Sequence, residues 1–175
     1  MNSRQVPLES PIEVKVAWAE ACWREKGDLL LEDRGIADLL GELKTAIHSS
    51  HDEMVESGIA DECRNCEQMG GGSCCGAGLE NHYTGTLLLI NLLLDVSIPK
   101  QRNDASSCFF LGKRGCQLLA RHVICINYLC KTIDSCIDPR KIAALREKEG
   151  IEVEALFLLN ERIRKKLMDQ PSGCS

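Results

Sequence analysis

The chain has 175 residues, 44% of them apolar and 27% charged, with a net charge of −5. Such proportions exclude disorder throughout and fit one ordinary globular unit. Aromatic residues make up only 4%, so the core is expected to be aliphatic. No run of eighteen apolar residues occurs, and the opening MNSRQVPLES lacks the basic start and apolar middle of a secretory signal. The expectation is a soluble, cytosolic protein with no membrane segment.

The charge is unevenly spread, with −8 over residues 1–62, +2 over 63–136 and +1 over 137–175. These three stretches are an acidic helical leader, a cysteine-rich region and a C-terminal helical part of one compact unit. The leader offers an acidic surface to a protein partner. No basic run interleaved with aromatics suggests nucleic acid, and Arg162, Arg164, Lys165 and Lys166 read as the basic last turn of a helix.

In chain order, Ile12, Val16, Ala19 and Trp23 share one helical face that is predicted to end before Lys26-Gly27-Asp28. Ile36, Leu39, Leu40, Leu43 and Ile47 continue the helical spacing, with an extension through Met54, Val55 and Ile59. These two helices are expected to pack as an antiparallel pair. From Asp61 to Gly78 the glycine-rich sequence reads as irregular. TGTLLLINLLLDVSIP then holds Leu87 to Ile90 and Leu92 to Leu94, apolar on all sides, read as a buried helix closed by Pro99, with a buried strand as the alternative. After a polar loop, Leu118, Leu119, Val123 and Ile126 predict a helix over Cys116–Cys130. Asp138 and Pro139 mark a helix start and Gly150 a stop, and a last helix carries Val153, Leu156, Phe157, Asn160, Ile163 and Leu167. With no strand-turn-strand pattern evident, the expected fold is all-α with irregular Gly/Cys-rich loops around a cysteine site.

Nine of the eleven cysteines fall between Cys63 and Cys136. In a chain without an export signal such clustering points to metal ligation or redox chemistry before structural disulfides. Cys63 and Cys66 form a CxxC, which as a turn would aim two thiolates at one ion. Seven residues later come Cys74 and Cys75, then Cys108, Cys116, Cys125 and Cys130. Gly70, Gly71, Gly72 and Gly76 would let backbone N–H groups approach thiolate sulfur. Adjacent side chains diverge, so Cys74 and Cys75 suggest two centres or one cluster with a spare thiol. Thiolate ligands suit zinc and iron–sulfur clusters alike.

This ordered set, CxxC, CC, Cys108-Phe109-Phe110-Leu111, Cys116 leading to Arg121, and Cys125 to Cys130 with Tyr128 between, resembles the bacterial and archaeal cysteine-cluster family of zinc- or iron-chelating domain proteins. The match covers Cys63 to Cys130. Seven residues replace the usual two or three before the CC pair, and Arg121-His122 stands where the family has Arg-Pro. The resemblance implies zinc or an iron–sulfur cluster, with [4Fe-4S] favoured by related domains in flagellin lysine methylases, and a ligand set drawn from the eight cysteines.

Other groups read as structural: His48, His51, Asp52 and Glu53 as a solvated helix face, His82 as a helix start, His122 as a half-buried helical histidine, Cys22 and Cys136 as packed thiols and Cys174 as a tail thiol. The glycine runs fit no phosphate loop. No βαβ context supports a thioredoxin-like CxxC. The leading expectation is a metal-binding protein acting in electron transfer, redox sensing or as a structural module. The alternative is a cluster-dependent group-transfer enzyme of methyltransferase type, or its accessory subunit.

Overall fold

The first apolar stripe forms α1, Ile12–Glu32, in the computed structural model, which describes residues 6–66 and 74–169. The helix does not break at Gly27. A β-carbon there would lie 2.5 Å from the Trp23 ring, so this glycine makes room for an indole inside the helix instead of ending it. Asp33 then separates α1 from α2, Arg34–Glu56, and caps α2 by accepting from Ile36 N at 3.2 Å. Gly41 and Ser49-Ser50 lie within α2 without interrupting it. Gly58, at φ +86°, ends the run before Ile59, a conformation that favours glycine.

The chain restarts as α3, Ile59–Cys66, which corrects the expectation that everything after Asp61 is irregular. The CxxC is the last turn of a helix, not a chain reversal. Its i, i+3 spacing still puts both positions on one helical face. After Gly78 a 3-10 turn, Leu79–His82, leads to α4, Gly85–Leu93, capped by Thr84, which accepts from Leu87 N at 3.1 Å. Helix was the right reading of the all-apolar run: Leu88, Leu89 and Ile90 have no exposed surface.

The predicted helix over Cys116–Cys130 is mostly absent. A two-residue antiparallel hairpin, β1 Leu111–Gly112 and β2 Gly115–Cys116, turns at Lys113-Arg114 with Gly115 at φ +106°. An irregular stretch with bends follows, and only α5, Val123–Asn127, is helical in this segment. Asn91 explains why. Its Oδ1 accepts from Leu119 N (2.9 Å) and Ala120 N (3.0 Å), and its Nδ2 donates to Ala120 O (2.9 Å) and Leu87 O (3.0 Å). The buried amide supplies the hydrogen bonds that a helix would have supplied itself.

A short α6, Lys131–Cys136, precedes α7, Pro139–Met168. Asp138 caps α7 as expected, accepting from Arg140 N at 2.8 Å, with Pro139 at the first helical position. Gly150 is no stop. The two expected C-terminal helices are one 30-residue helix.

The mostly helical fold packs α2 along α7 and α1 along α4, more extensively than α1 along α2. Asp33 at the α1–α2 junction also holds Lys166 (2.8 Å) and Arg162 (3.1 Å) of α7. The principal core joins Ile12, Val16 and Ala19 of α1, Leu40 and Leu43 of α2, Leu87, Leu88, Leu89, Ile90 and Leu93 of α4, and Leu159 and Ile163 of α7. Phe109, Phe110, Leu118 and Ala120 from the cysteine-rich region belong to it too. A second, smaller cluster of Ile59, Ile133 and Leu145 joins α3, α6 and α7. Among the described residues no helix is long and apolar enough to cross a membrane.

Candidate functional site

Chain segments far apart in sequence deliver cysteines to one place. Cys74 and Cys75 precede an isolated antiparallel bridge between Gly76 and Ser107, and Cys108 N donates to Cys75 O at 2.7 Å. Cys116 ends β2, and Cys125 lies in α5. These five cysteines line a single cavity of about 310 Å³. Leu79, Leu111 and Ile124 give it apolar walls, Tyr83 and Tyr128 add phenols, and Arg121 is the cationic side chain in its lining among the described residues.

The walls are rigidly held. Glu80, almost fully buried, pairs through Oε1 with Arg102, while its Oε2 accepts from Gly78 N (3.0 Å) and Phe109 N (3.4 Å). Burial opposes ionisation of Glu80, but the Arg102 guanidinium and nearby backbone N–H groups outweigh it and hold the carboxyl below its ordinary range. This one carboxylate therefore locks the Cys108 segment onto the 3-10 turn. Tyr83, 1% exposed, stacks at 4.8 Å on Phe110, accepts from His122 N at 3.2 Å and donates to Cys125 Sγ at 3.9 Å. Its phenol is pushed well above the ordinary range, first by burial and then by the neighbouring sulfurs of Cys116 and Cys125.

The thiols sense one another. Burial pushes Cys108 up to about 11, opposed by the N–H of Phe110 and reinforced by Glu80, Cys116 and Cys75. Cys116 belongs to an exposed hairpin residue, yet its sulfur lies deep enough for desolvation to raise it, against the Leu118 N–H and the Arg121 charge. Cys75 and Cys125 raise it further. In both cases the N–H two residues on points at sulfur, the arrangement that stabilises thiolate in metal and cluster sites.

The eight expected ligand positions are thus divided. Cys75, Cys108, Cys116 and Cys125 face one cavity and act on one another electrostatically. Cys74 shares the cavity lining and also raises the Tyr128 phenol, to which Cys130 contributes from the other side. Cys130 caps α6, its thiol lowered first by the Ile133 N–H, and packs with the smaller cluster. Cys63 is exposed on α3. The Cys66 side chain and Gly70, Gly71 and Gly72 lie outside the described residues, whereas Gly76 is at the bridge beside Cys75. Among the described residues no three His, Cys, Asp or Glu side chains are grouped to hold a single metal ion.

Of the other expectations, Cys22 is buried, but Cys136 is exposed at the end of α6, contrary to its reading as packed. Cys174 is outside the described residues. His48 and His51 are exposed on α2, and Glu53 pairs with Lys148 at 2.7 Å. His82 ends the 3-10 turn instead of starting a helix, and half-buried His122 caps α5, its Nδ1 accepting from Ile124 N at 3.2 Å. The sequence reading passed over Glu80, Tyr83, Asn91 and Arg102. Polar residues embedded in or beside apolar runs, as Asn91 is within LLLINLLL, were the available signal.

The raised thiols make stability pH-dependent. Cys22 and Cys108 titrate near 11 in the fold against an ordinary 9.0, so the unfolded chain releases their protons first as pH rises. Their contribution is complete below pH 9 and lost between 9 and about 11. Thermal melts of chelator-treated, reduced protein should show Tm falling through that interval. Cys22→Ser should make the fall shallower.

Compared with known proteins, the chain matches no family model, no curated protein and no solved structure.

Proposed function

We propose that this chain is a metalloprotein whose cavity holds an iron–sulfur cluster through Cys75, Cys108, Cys116 and Cys125, and that it serves electron transfer or redox sensing. The observation that carries this reading is that five cysteines from four separate segments line one cavity of about 310 Å³. Cys75, Cys108, Cys116 and Cys125 all line it, together with Cys74. A single zinc held by four thiolates at about 2.3 Å needs all four sulfurs gathered at a point, whereas a cluster takes each thiolate on a different iron.

The donor set fits the group. Thiolates are soft ligands, backbone N–H groups from Phe110 and Leu118 reach Cys108 and Cys116, and apolar side chains restrict water. Four thiolates concentrate negative charge, and Arg121 beside Cys116 offsets part of it. Tyr83 holds Cys125 by its hydroxyl, and Glu80 with Arg102 fixes the segment bearing Cys108. A bound cluster would supply one-electron chemistry; the protein supplies position, hydrogen bonds and limited solvent access. The ordered cysteines and their resemblance to the metal-chelating family support the same reading.

Metal analysis of protein purified without oxygen tests it. Iron and acid-labile sulfide at about four each per chain, with broad absorption near 400 nm that bleaches on reduction, are expected. Colourless protein with zinc would replace the cluster by a structural metal. Protein with neither metal would overturn the reading.

A further inference from the structure

We propose that Cys75 and Cys108 are a disulfide-forming pair, a modification site that closes across the cavity when the chain meets a peroxide. The inference stands on backbone pairing and does not depend on a bound metal. Cys108 N donates to Cys75 O at 2.7 Å and Ala77 N donates to Ser106 O at 3.0 Å, on either side of the antiparallel bridge between Gly76 and Ser107. That register sets Cys75 opposite Cys108 beside the bridge, joined by the single bond from Cys108 N to Cys75 O, while Cys108 O accepts from Leu111 N at 3.0 Å. Facing positions of an antiparallel pair place α-carbons about 4.5–5.5 Å apart. Disulfides span about 4.4–6.8 Å between α-carbons. Both side chains also line the same cavity, so they lie on one face of the pairing.

The two thiols differ in access, which assigns their order. Cys75 is half-buried, while Cys108 is 7% exposed. The Cys75 thiolate attacks one oxygen of hydrogen peroxide, the O–O bond breaks, and hydroxide leaves and is protonated to water. Cys75 is then a sulfenic acid. The Cys108 sulfur attacks the Cys75 sulfur, the S–O bond breaks, and the hydroxyl departs as a second water carrying the Cys108 proton. Two thiols and one peroxide give one disulfide and two waters. A disulfide here withdraws two of the four proposed ligands, so oxidation and metal retention exclude one another. A thiol reductant restores both.

The test uses the full chain, both as purified and after metal removal by chelator under argon. Hydrogen peroxide is added, remaining thiols are blocked with N-ethylmaleimide, and the protein is digested with trypsin for mass spectrometry. Cleavage after Arg102 and Lys113 isolates Cys108 from every other cysteine. The expected result in the stripped chain is loss of the Asn103–Lys113 peptide and its appearance linked to the Asn65–Lys100 peptide with two hydrogens missing, reversed by dithiothreitol. Cys75→Ser should abolish that link, and Cys74→Ser should keep it. In metal-loaded protein the link should follow loss of metal. Cys108 left unlinked in the stripped chain, or joined to the peptides bearing Cys116 or Cys125, would overturn the proposal. Absence of iron in the purified protein would bear on the cluster and leave this pair to stand or fall on the linked peptide.

Discussion

Asn91→Ala is expected to destabilise the protein by about 4 kcal/mol and to abolish binding of the proposed cluster. The side chain is fully buried and uses both ends of its amide, accepting from two backbone N–H groups and donating to two carbonyls. Truncation strands Leu119 N, Ala120 N and Ala120 O in a dry interior, each unsatisfied group costing about 1–3 kcal/mol. Leu87 O keeps its place in α4, so the loss falls on the segment between β2 and α5. That segment positions Cys116 at one end and Cys125 at the other. Urea unfolding measures the first effect and iron per chain the second. Asn91→Asp, which keeps the accepting oxygen but sets a second oxygen against Leu87 O and Ala120 O in a buried site, should also be destabilised. A midpoint within experimental error of wild type for Asn91→Ala would show that these hydrogen bonds do not hold the segment.

Serine at Cys75, Cys108, Cys116 or Cys125 is expected to remove nearly all absorption of the proposed cluster, each by itself. Partners that merely orient a metal ligand are worth roughly 10- to 100-fold in affinity, and loss of the ligand itself should exceed that. Serine at Cys22 or Cys136 should leave absorption intact, since the first is buried in the helical core and the second is exposed at the end of α6. Cys63, Cys74 and Cys130 are the informative middle class. Retention of the absorption band after their replacement would separate the four cavity cysteines from the rest. Equal loss across all eight positions would mean that the division drawn from the cavity is wrong. Tm and far-ultraviolet circular dichroism on the same variants separate a lost ligand from a lost fold.

Helices were legible where apolar spacing was regular, as along Ile36 to Ile47, and where caps were explicit, as at Asp138-Pro139. The errors came at glycines. Gly27 and Gly150 read as stops, yet both lie inside helices, one beside an indole and the other with no heavy atom of a neighbour within 4 Å of where its β-carbon would be. Tertiary packing overrides a local penalty of about 1 kcal/mol when the helix buries a long apolar face. The lost helix over Cys116–Cys130 has the opposite cause. Its apolar residues had helical spacing, but Asn91, some thirty positions earlier, takes the backbone hydrogen bonds of Leu119 and Ala120 and holds them out of a helix, and no local pattern reports so distant a partner. The cysteines announced a site by number and order. Their division between the cavity and its surroundings came from the hairpin and the Gly76–Ser107 bridge, both invisible to periodicity.

The unbroken α7 gives the protein a spine with unequal anchorage. Its C-terminal portion buries Leu156, Leu159, Ile163 and Leu167 in the principal core, while its beginning contributes Leu145 to the small cluster with Ile59 and Ile133. At about 1.5 Å per residue the rod is some 45 Å long, so the two anchor regions are well separated. Amide exchange should therefore run as a gradient along one helix, slow toward Leu159 and faster near Leu145, without a hinge at Gly150. The α3–α6 corner, with Cys63 and Cys130, rests on the smaller cluster and should exchange its amides faster than the principal core.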